Sequence, residues 1–110
     1  GVGGVNLLND SQATLDAFVT AAKAYPQAKL RVDSFADSSG IQANNITRSE
    51  DRAQNVARYL VNSGLSAEKM TLKGYGSDYY VASNETPEGR ALNRRIVVTI
   101  SNFPLPQPAA

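Results

Sequence analysis

The spacing of apolar residues predicts an amphipathic helix near the start of the chain. From Asp10 to about Ala24, apolar side chains recur every three or four residues, the period of a helix with one buried face. One of the residues 9–11 can cap its start, and Pro26 stops the helix just beyond its end. The predicted buried positions are Leu15, Phe18, Val19 and Ala22.

A second helix is predicted after a long polar connection. The connection runs from Ala36 to Ile46, and loops of this length often carry function. The segment 47–50 (Thr-Arg-Ser-Glu) fits a capping box, so the helix is expected to begin there. Gly64 ends it, because glycine takes a positive φ at no steric cost. The predicted buried stripe is Ala53, Val56, Ala57, Leu60 and Val61.

Three segments have the composition of β-strands: 29–35, 69–73 and 95–101, and a further short strand before residue 8 is left open. Residues 77–93 are expected to be irregular, with a helical turn near 88–92. This order predicts an α/β fold of the α+β sandwich type, with two main helices on one face of a small mixed sheet. The unit from 29 to 73 should contain parallel strands joined by a right-handed crossover.

Length and composition indicate one modest domain, expected over 1–101, followed by a proline-rich tail over 102–110. The 110 residues contain no cysteine and no histidine, which excludes structural zinc, thiol nucleophiles and histidine acid–base catalysis. We therefore expect no metal, no cofactor and no catalytic residue. A net charge of +1 gives no general attraction for nucleic acid. No apolar run is long enough to span a bilayer, so any membrane anchor is expected outside this sequence.

The strongest candidate for chemistry is the combination of Asp37 and Arg52. Asp37 follows the strand 29–35, and Arg52 falls in the second turn of the crossover helix if that helix begins at Thr47. Both therefore belong to the edge of the sheet where α/β proteins bind ligands, with Asn44 and Asn45 on the loop between them. A carboxylate and a guanidinium side by side suit a zwitterion, such as an amino acid head group. Pairing of these two side chains only with each other is the alternative.

One further detail favours an anionic ligand. Arg48 and Arg52 lie four residues apart near the predicted positive end of a helix, where the helix dipole and mutual repulsion both disfavour cations. Each effect is only about 0.3–1 kcal/mol, and Glu50 and Asp51 offset part of it.

Several ordered motifs resemble those of the outer-membrane-protein-A-like carboxy-terminal domain, which peptidoglycan-associated lipoproteins and flagellar stator proteins also carry. The motifs are Phe35-Ala36-Asp37-x-x-Gly40, Asn45, Ser49-x-x-Arg52-Ala53-x-x-Val56, Gly74-Tyr75-Gly76, Asn84 and Gly89-Arg90-Ala91-x-Asn93-Arg94-Arg95-Ile96. The resemblance covers roughly residues 8–101. It implies a periplasmic, outer-membrane-associated domain of the cell envelope. It further implies that peptidoglycan is bound through the diaminopimelate of its stem peptide, by Asp37 and Arg52.

Supporting contacts are expected from Phe35, Ala36, Asn45, Arg48 and Arg94. Asn45 can either bond the ligand or fix the loop by a turn, and both interpretations stay open. Of Arg94 and Arg95, strand alternation allows only one to face the pocket. Two departures from the family stand out: alanine at 36 replaces a usual threonine, and Arg48 replaces a usual leucine. The arginine is expected to alter contacts along the pocket rim or to add one to an acidic group of the stem peptide.

Two other functions compete with wall binding. A protein-docking domain of an envelope assembly would keep the fold and use Arg48, Tyr79 and Tyr80 on its surface. A wall-cleaving enzyme would need two converging carboxyls, but the adjacent Glu50 and Asp51 point in different directions. Tyr75, Tyr79 and Tyr80 can stack on sugar rings or pack against the protein, and packing is the favoured interpretation.

Overall fold

A computed structural model describes residues 3–7 and 11–101 of the chain. The elements, in chain order, are β1 (Gly3–Leu7), α1 (Gln12–Ala22), β2 (Lys29–Phe35), α2 (Gln42–Asn62), a 3-10 turn (Ala67–Lys69), β3 (Met70–Gly74), α3 (Pro87–Asn93) and β4 (Arg95–Ser101). The open question of a strand before residue 8 is thereby settled in its favour. The predicted proline-rich tail over 102–110 lies outside the described residues.

The four strands form one mixed sheet in the order β1-β4-β2-β3. β2 and β3 are parallel, and α2 connects them, as predicted for the unit from 29 to 73. β4 is antiparallel to both of its neighbours, β1 and β2. In the register, Val32 lies opposite Val98 on one side and Leu72 on the other. The predicted mixed α+β architecture is confirmed.

The core lies between the two long helices and one face of the sheet. Alternate residues of β2 and β4 belong to this core, and several residues on the opposite face, including Asp33, Phe35 and Arg95, are buried as well. Ser11 caps α1 by accepting a hydrogen bond from the backbone N–H of Thr14. The central core residues, buried to 6% exposure or less, are Leu15, Phe18, Val19, Leu30, Val32, Val56, Leu60, Ile96 and Val98.

The predicted start of α2 was wrong by one and a half turns. The helix begins at Gln42, and Ile41 occupies the N-cap position with no side-chain hydrogen bond to the helix. Thr47 lies inside the helix, where its hydroxyl donates to the carbonyl of Ala43 at 3.2 Å. The capping-box prediction failed because tertiary contacts extend the helix. Its first turn is anchored by the buried side chain of Asn45 and by Gln42, which bonds the chain at 75–78.

This shift has three consequences for the sequence-based predictions. Arg52 lies in the third turn of α2, and Asn44 and Asn45 are helical. Arg48 therefore lies more than one and a half turns inside the helix, where the dipole acts on it only weakly. A separate difference concerns Val61. It was predicted in the buried stripe but is 38% exposed, because it lies about a quarter turn from the middle of that stripe.

Among residues 3–7 and 11–101, no helix combines the length and the apolar character that crossing a bilayer requires.

Candidate ligand-binding site

Asp37 lies two residues beyond β2 and is 6% exposed. Its Oδ1 accepts a hydrogen bond from the backbone N–H of Ser39 at 2.8 Å, which folds the loop back onto the carboxylate. Its Oδ2 accepts from Nη1 of Arg94, with which it forms an ion pair. The carboxylate is thus fixed in one orientation at the edge of the sheet.

The pKa of Asp37 is lowered from its ordinary value of 3.8. Burial acts to raise the pKa, but the hydrogen bonds from Ser39 and the charged guanidinium of Arg94 outweigh it. Asp37 is consequently a carboxylate at neutral pH, able to accept hydrogen bonds from a cationic group.

An open pocket of about 440 Å³ is lined by the loop after β2 and by α2. Its lining includes Asp37 from that loop, Arg52 from α2 and Arg94, the C-cap residue of α3 just before β4. Phe35 and Ala36 contribute the end of β2 and the loop that follows it. The two charged residues singled out from the sequence therefore line the same cavity.

The side of α2 that faces the pocket carries four residues at helical spacing: 45, 48, 49 and 52. Arg52 is half-buried at the far end of this row, and Arg48 is exposed at the rim. Ser49 is buried between them and was not predicted as a site residue. Its hydroxyl donates to Ile46 O at 2.8 Å and accepts from Gly76 N–H at 3.0 Å, which ties α2 to the end of β3.

Asn45 is 1% exposed and links α2 to the loop that carries Asp37. Its Nδ2 donates to the carbonyl of Asp37 at 3.4 Å, and its Oδ1 accepts from Nη2 of Arg48. Of the two interpretations left open for Asn45, the structure displays the one in which it holds the loop, although it does so from the helix.

Arg94 and Arg95 have different surroundings, although Arg94 is the C-cap residue of α3 and lies just before β4. Arg94 pairs with Asp37, and half of its side chain remains exposed at the pocket. Arg95 is buried, with its guanidinium carbon 4.0 Å from the ring centre of Phe35, and it donates to the carbonyl of Tyr79 at 3.1 Å. Arg94 is therefore a pocket residue, and Arg95 packs against aromatic neighbours.

A second organising residue, Asn93, was quoted in the family motif without a role. It is completely buried, and its side chain makes four hydrogen bonds of 2.8–3.0 Å to the loop at 81–84. One partner, Asn84, also accepts from the backbone N–H of Ser38, next to Asp37. These side-chain hydrogen bonds hold the loop at 81–84 beside the pocket. The spacing of apolar residues along the chain does not predict them.

The aromatic residues pack mainly against one another. The rings of Phe35 and Tyr75 are stacked with centroids 5.0 Å apart, and Tyr79 meets both at its edge. Tyr75 is 5% exposed and has a pKa raised to about 12, chiefly by burial and then by the nearby carboxylate of Asp33. Tyr80 alone of this group is largely exposed, at 53%. Packing, the favoured interpretation, describes Tyr75 and Tyr79.

Close approach of α2 to β3 explains one glycine of the Gly-Tyr-Gly motif. A Cβ on Gly74 would come within 2.4 Å of the backbone nitrogen of Glu50 and 2.6 Å of Ser49 Oγ. Only glycine allows the helix to lie this close to the strand. This contact sets how closely α2, which carries the row of pocket residues, packs on β3.

Comparison with known proteins shows the class of the domain. The chain matches the OmpA family over residues 1–94 and belongs to that family. It is 36% identical over 98 residues to the peptidoglycan-binding protein ArfA of Mycobacterium tuberculosis, a match that covers 89% of this chain and 30% of ArfA. The chain therefore spans under a third of that relative.

Two solved structures share the fold. The peptidoglycan-associated lipoprotein of Burkholderia pseudomallei superposes with a TM-score of 0.77 at 24% identity, over 90% of each chain. The cell wall anchor of the T6SS from Pseudomonas aeruginosa gives 0.73 at 30% identity, over 82% of this chain and 65% of the anchor. The resemblance drawn from the sequence motifs is confirmed.

Proposed function

We propose that this domain binds peptidoglycan non-covalently and so anchors an envelope protein to the cell wall. Relatives named as a peptidoglycan-binding protein and as a cell wall anchor support wall binding. The single observation that carries the proposal is that Asp37 and Arg52 line one open pocket. Relatives named outer membrane porin F support the expected location, the periplasm in association with the outer membrane.

The ligand group that fits this pocket best is the zwitterionic end of diaminopimelate. Diaminopimelate differs from lysine by a carboxylate on the carbon that bears the side-chain amine. In the proposed complex, Asp37 accepts hydrogen bonds from the ammonium, and Arg52 donates to the carboxylate. Phe35 and Ala36 support the pocket at the end of β2, and Asn45 fixes the loop that carries Asp37.

The same site argues for binding without cleavage. Asp37 is the one carboxylate among the pocket-lining residues, and its partners keep its pKa low. Glycoside cleavage by the common mechanism needs a second carboxyl facing the first across the bond. We therefore propose a binding domain and no hydrolysis of the wall.

Co-sedimentation with purified sacculi tests this proposal. Wild-type protein should sediment with the wall, and Asp37→Asn and Arg52→Ala should each weaken binding about tenfold or more, since a charge-assisted bond to a partly buried group contributes about 1.5–3 kcal/mol. Lys23→Ala is the control: it removes an exposed cation at the C-terminal end of α1, outside the pocket lining, and should bind like the wild type. Equal sedimentation of all four proteins would sink the proposed site. If the wild type does not sediment with the wall but does bind an envelope protein, that result would favour the docking alternative.

A further inference from the structure

The pocket holds more guanidinium groups than one zwitterion can occupy. Three line it, from Arg48, Arg52 and Arg94, together with the carboxylate of Asp37. A zwitterion brings a single carboxylate. Of the nearby acids on α2, Glu50 lines a separate small hollow beside β3, and Asp51 is exposed and absent from the pocket lining.

Arg48 is the guanidinium that the proposed zwitterion leaves without an ionic partner. Asp37 already forms an ion pair with Arg94, and in the proposed complex Arg52 binds the carboxylate of diaminopimelate. The Arg48 guanidinium instead donates to the neutral side-chain oxygen of Asn45. Its Nη2 also lies 3.6 Å from the position that a Cβ on Gly40 would occupy, so the side chain rests on the loop that carries Asp37.

This arrangement orients Arg48 before any ligand arrives. Asn45 is buried and bonded to the Asp37 carbonyl, so the acceptor that holds the guanidinium is itself fixed. A guanidinium has five N–H donors, and a single bond to an amide oxygen leaves others for a carboxylate. The cost of ordering a long side chain is partly met in advance.

We propose that Arg48 binds a second, free carboxylate of the stem peptide, and that the site therefore prefers stem peptides whose carboxyl groups are not amidated. The inference rests on the proposed function and names the chemical form of the ligand. Stem peptides carry carboxyl groups on glutamate and at the carboxy terminus in addition to the zwitterion. Amidation removes the negative charge and the bidentate acceptor that a guanidinium prefers.

The test uses two tripeptides, alanyl-γ-glutamyl-diaminopimelate and the same peptide with its glutamate and carboxy-terminal carboxyl groups amidated. Both keep the zwitterionic end of diaminopimelate. Titration calorimetry with the wild type should give a Kd about two- to fivefold lower for the free acid, the upper part of the range expected for an ion pair at an exposed rim. Arg48→Gln should weaken binding of the free acid more than binding of the amidated peptide, and so bring the ratio of the two Kd values close to one.

A matched control stands on the same helix. Arg58 donates to Asn55 Oδ1 at 3.0 Å, the same three-residue Arg–Asn contact as Arg48 to Asn45, but outside the pocket. Arg58→Gln should keep the wild-type ratio, and Arg48→Lys should keep part of it, because lysine retains the charge without the bidentate fork.

Two results would overturn the inference and leave wall binding intact: equal affinity of the wild type for both peptides, or an equal loss for both in Arg48→Gln, which would mean that Arg48 acts only through Asn45. Failure of the wild type to bind either peptide would instead overturn the proposed function together with the inference.

Discussion

Replacing Asn93 by alanine should be among the most damaging single changes near the site. Its carboxamide is buried beneath the loop at 81–84, where Oδ1 accepts from the backbone N–H groups of Val81 and Ala82, and Nδ2 donates to Ala82 O and Asn84 Oδ1. All four bonds measure 2.8–3.0 Å. The alanine variant loses them together.

The size of the stability loss depends on whether water can replace the lost hydrogen bonds of the loop. Each bond contributes about 0.5–1.5 kcal/mol net, and buried groups left without partners cost about 1–3 kcal/mol each. Val81 is exposed and Ala82 half-buried, so water can reach part of the freed backbone. We expect a loss of about 2–4 kcal/mol in the free energy of unfolding. Binding of wall peptides should weaken too, because Asn84 also bonds the backbone next to Asp37.

Urea unfolding followed by far-ultraviolet circular dichroism measures the stability loss. With an m-value of about 1.3 kcal/mol/M, the midpoint should fall by about 1.5–3 M at unchanged slope. Asn44→Ala removes an exposed asparagine of α2 and should shift the midpoint little. A loss below about 1 kcal/mol in Asn93→Ala would refute the assignment of the loop's order to this side chain.

Three further outcomes are expected. Gly74→Ala places a Cβ 2.4 Å from the nitrogen of Glu50 and should cost about 2–4 kcal/mol in urea unfolding; a neutral result would contradict the close packing of α2 on β3. Since the pKa of Asp37 lies below 3.8, the stability that its ionised form contributes is present above that pH and is lost as pH falls through the lowered pKa. Binding of the wall peptide, measured as pH is lowered from 7, should persist to pH 4. A loss of binding centred near pH 6 would exclude Asp37 as the titrating group. Burial raises the pKa of Asp33, so as pH falls its carboxylate takes up a proton in the folded protein before it does so in the unfolded chain. The stability of the wild type relative to Asp33→Asn should therefore increase as pH falls from 7 to 4. A decrease would contradict the burial of this carboxylate.

Local patterns along the chain predicted much of the fold. Alternating apolar residues gave the limits of β2 and β4, and the stripe through Val56 and Leu60 located α2 and its buried face. The juxtaposition of Asp37 and Arg52 also followed from sequence, because a parallel strand–helix–strand unit brings the end of its strand to the side of its crossover helix.

The features that the sequence did not predict depend on contacts between distant segments. The true start of α2 at Gln42 is supported by bonds to residues more than 30 positions away, which no capping rule can anticipate. The pairing of Arg94 with Asp37 joins residues 57 positions apart. The network of Asn93 belongs to an irregular segment without periodicity. The sequence predicted that only one of the two arginines would face the pocket, but Arg94 lies before β4, and no local pattern indicated that it would pair with Asp37.

The most direct test of the central claim is an amide NMR titration with two tripeptides that end in diaminopimelate or in lysine. We predict that the diaminopimelate peptide shifts the amide signals of Ala36, Asp37, Ser39 and the turn around Arg52, and that the lysine peptide, which lacks the terminal carboxylate, shifts them far less at equal concentration. Equal shifts with both peptides, or shifts confined to residues away from the pocket, would contradict recognition of a zwitterion between Asp37 and Arg52.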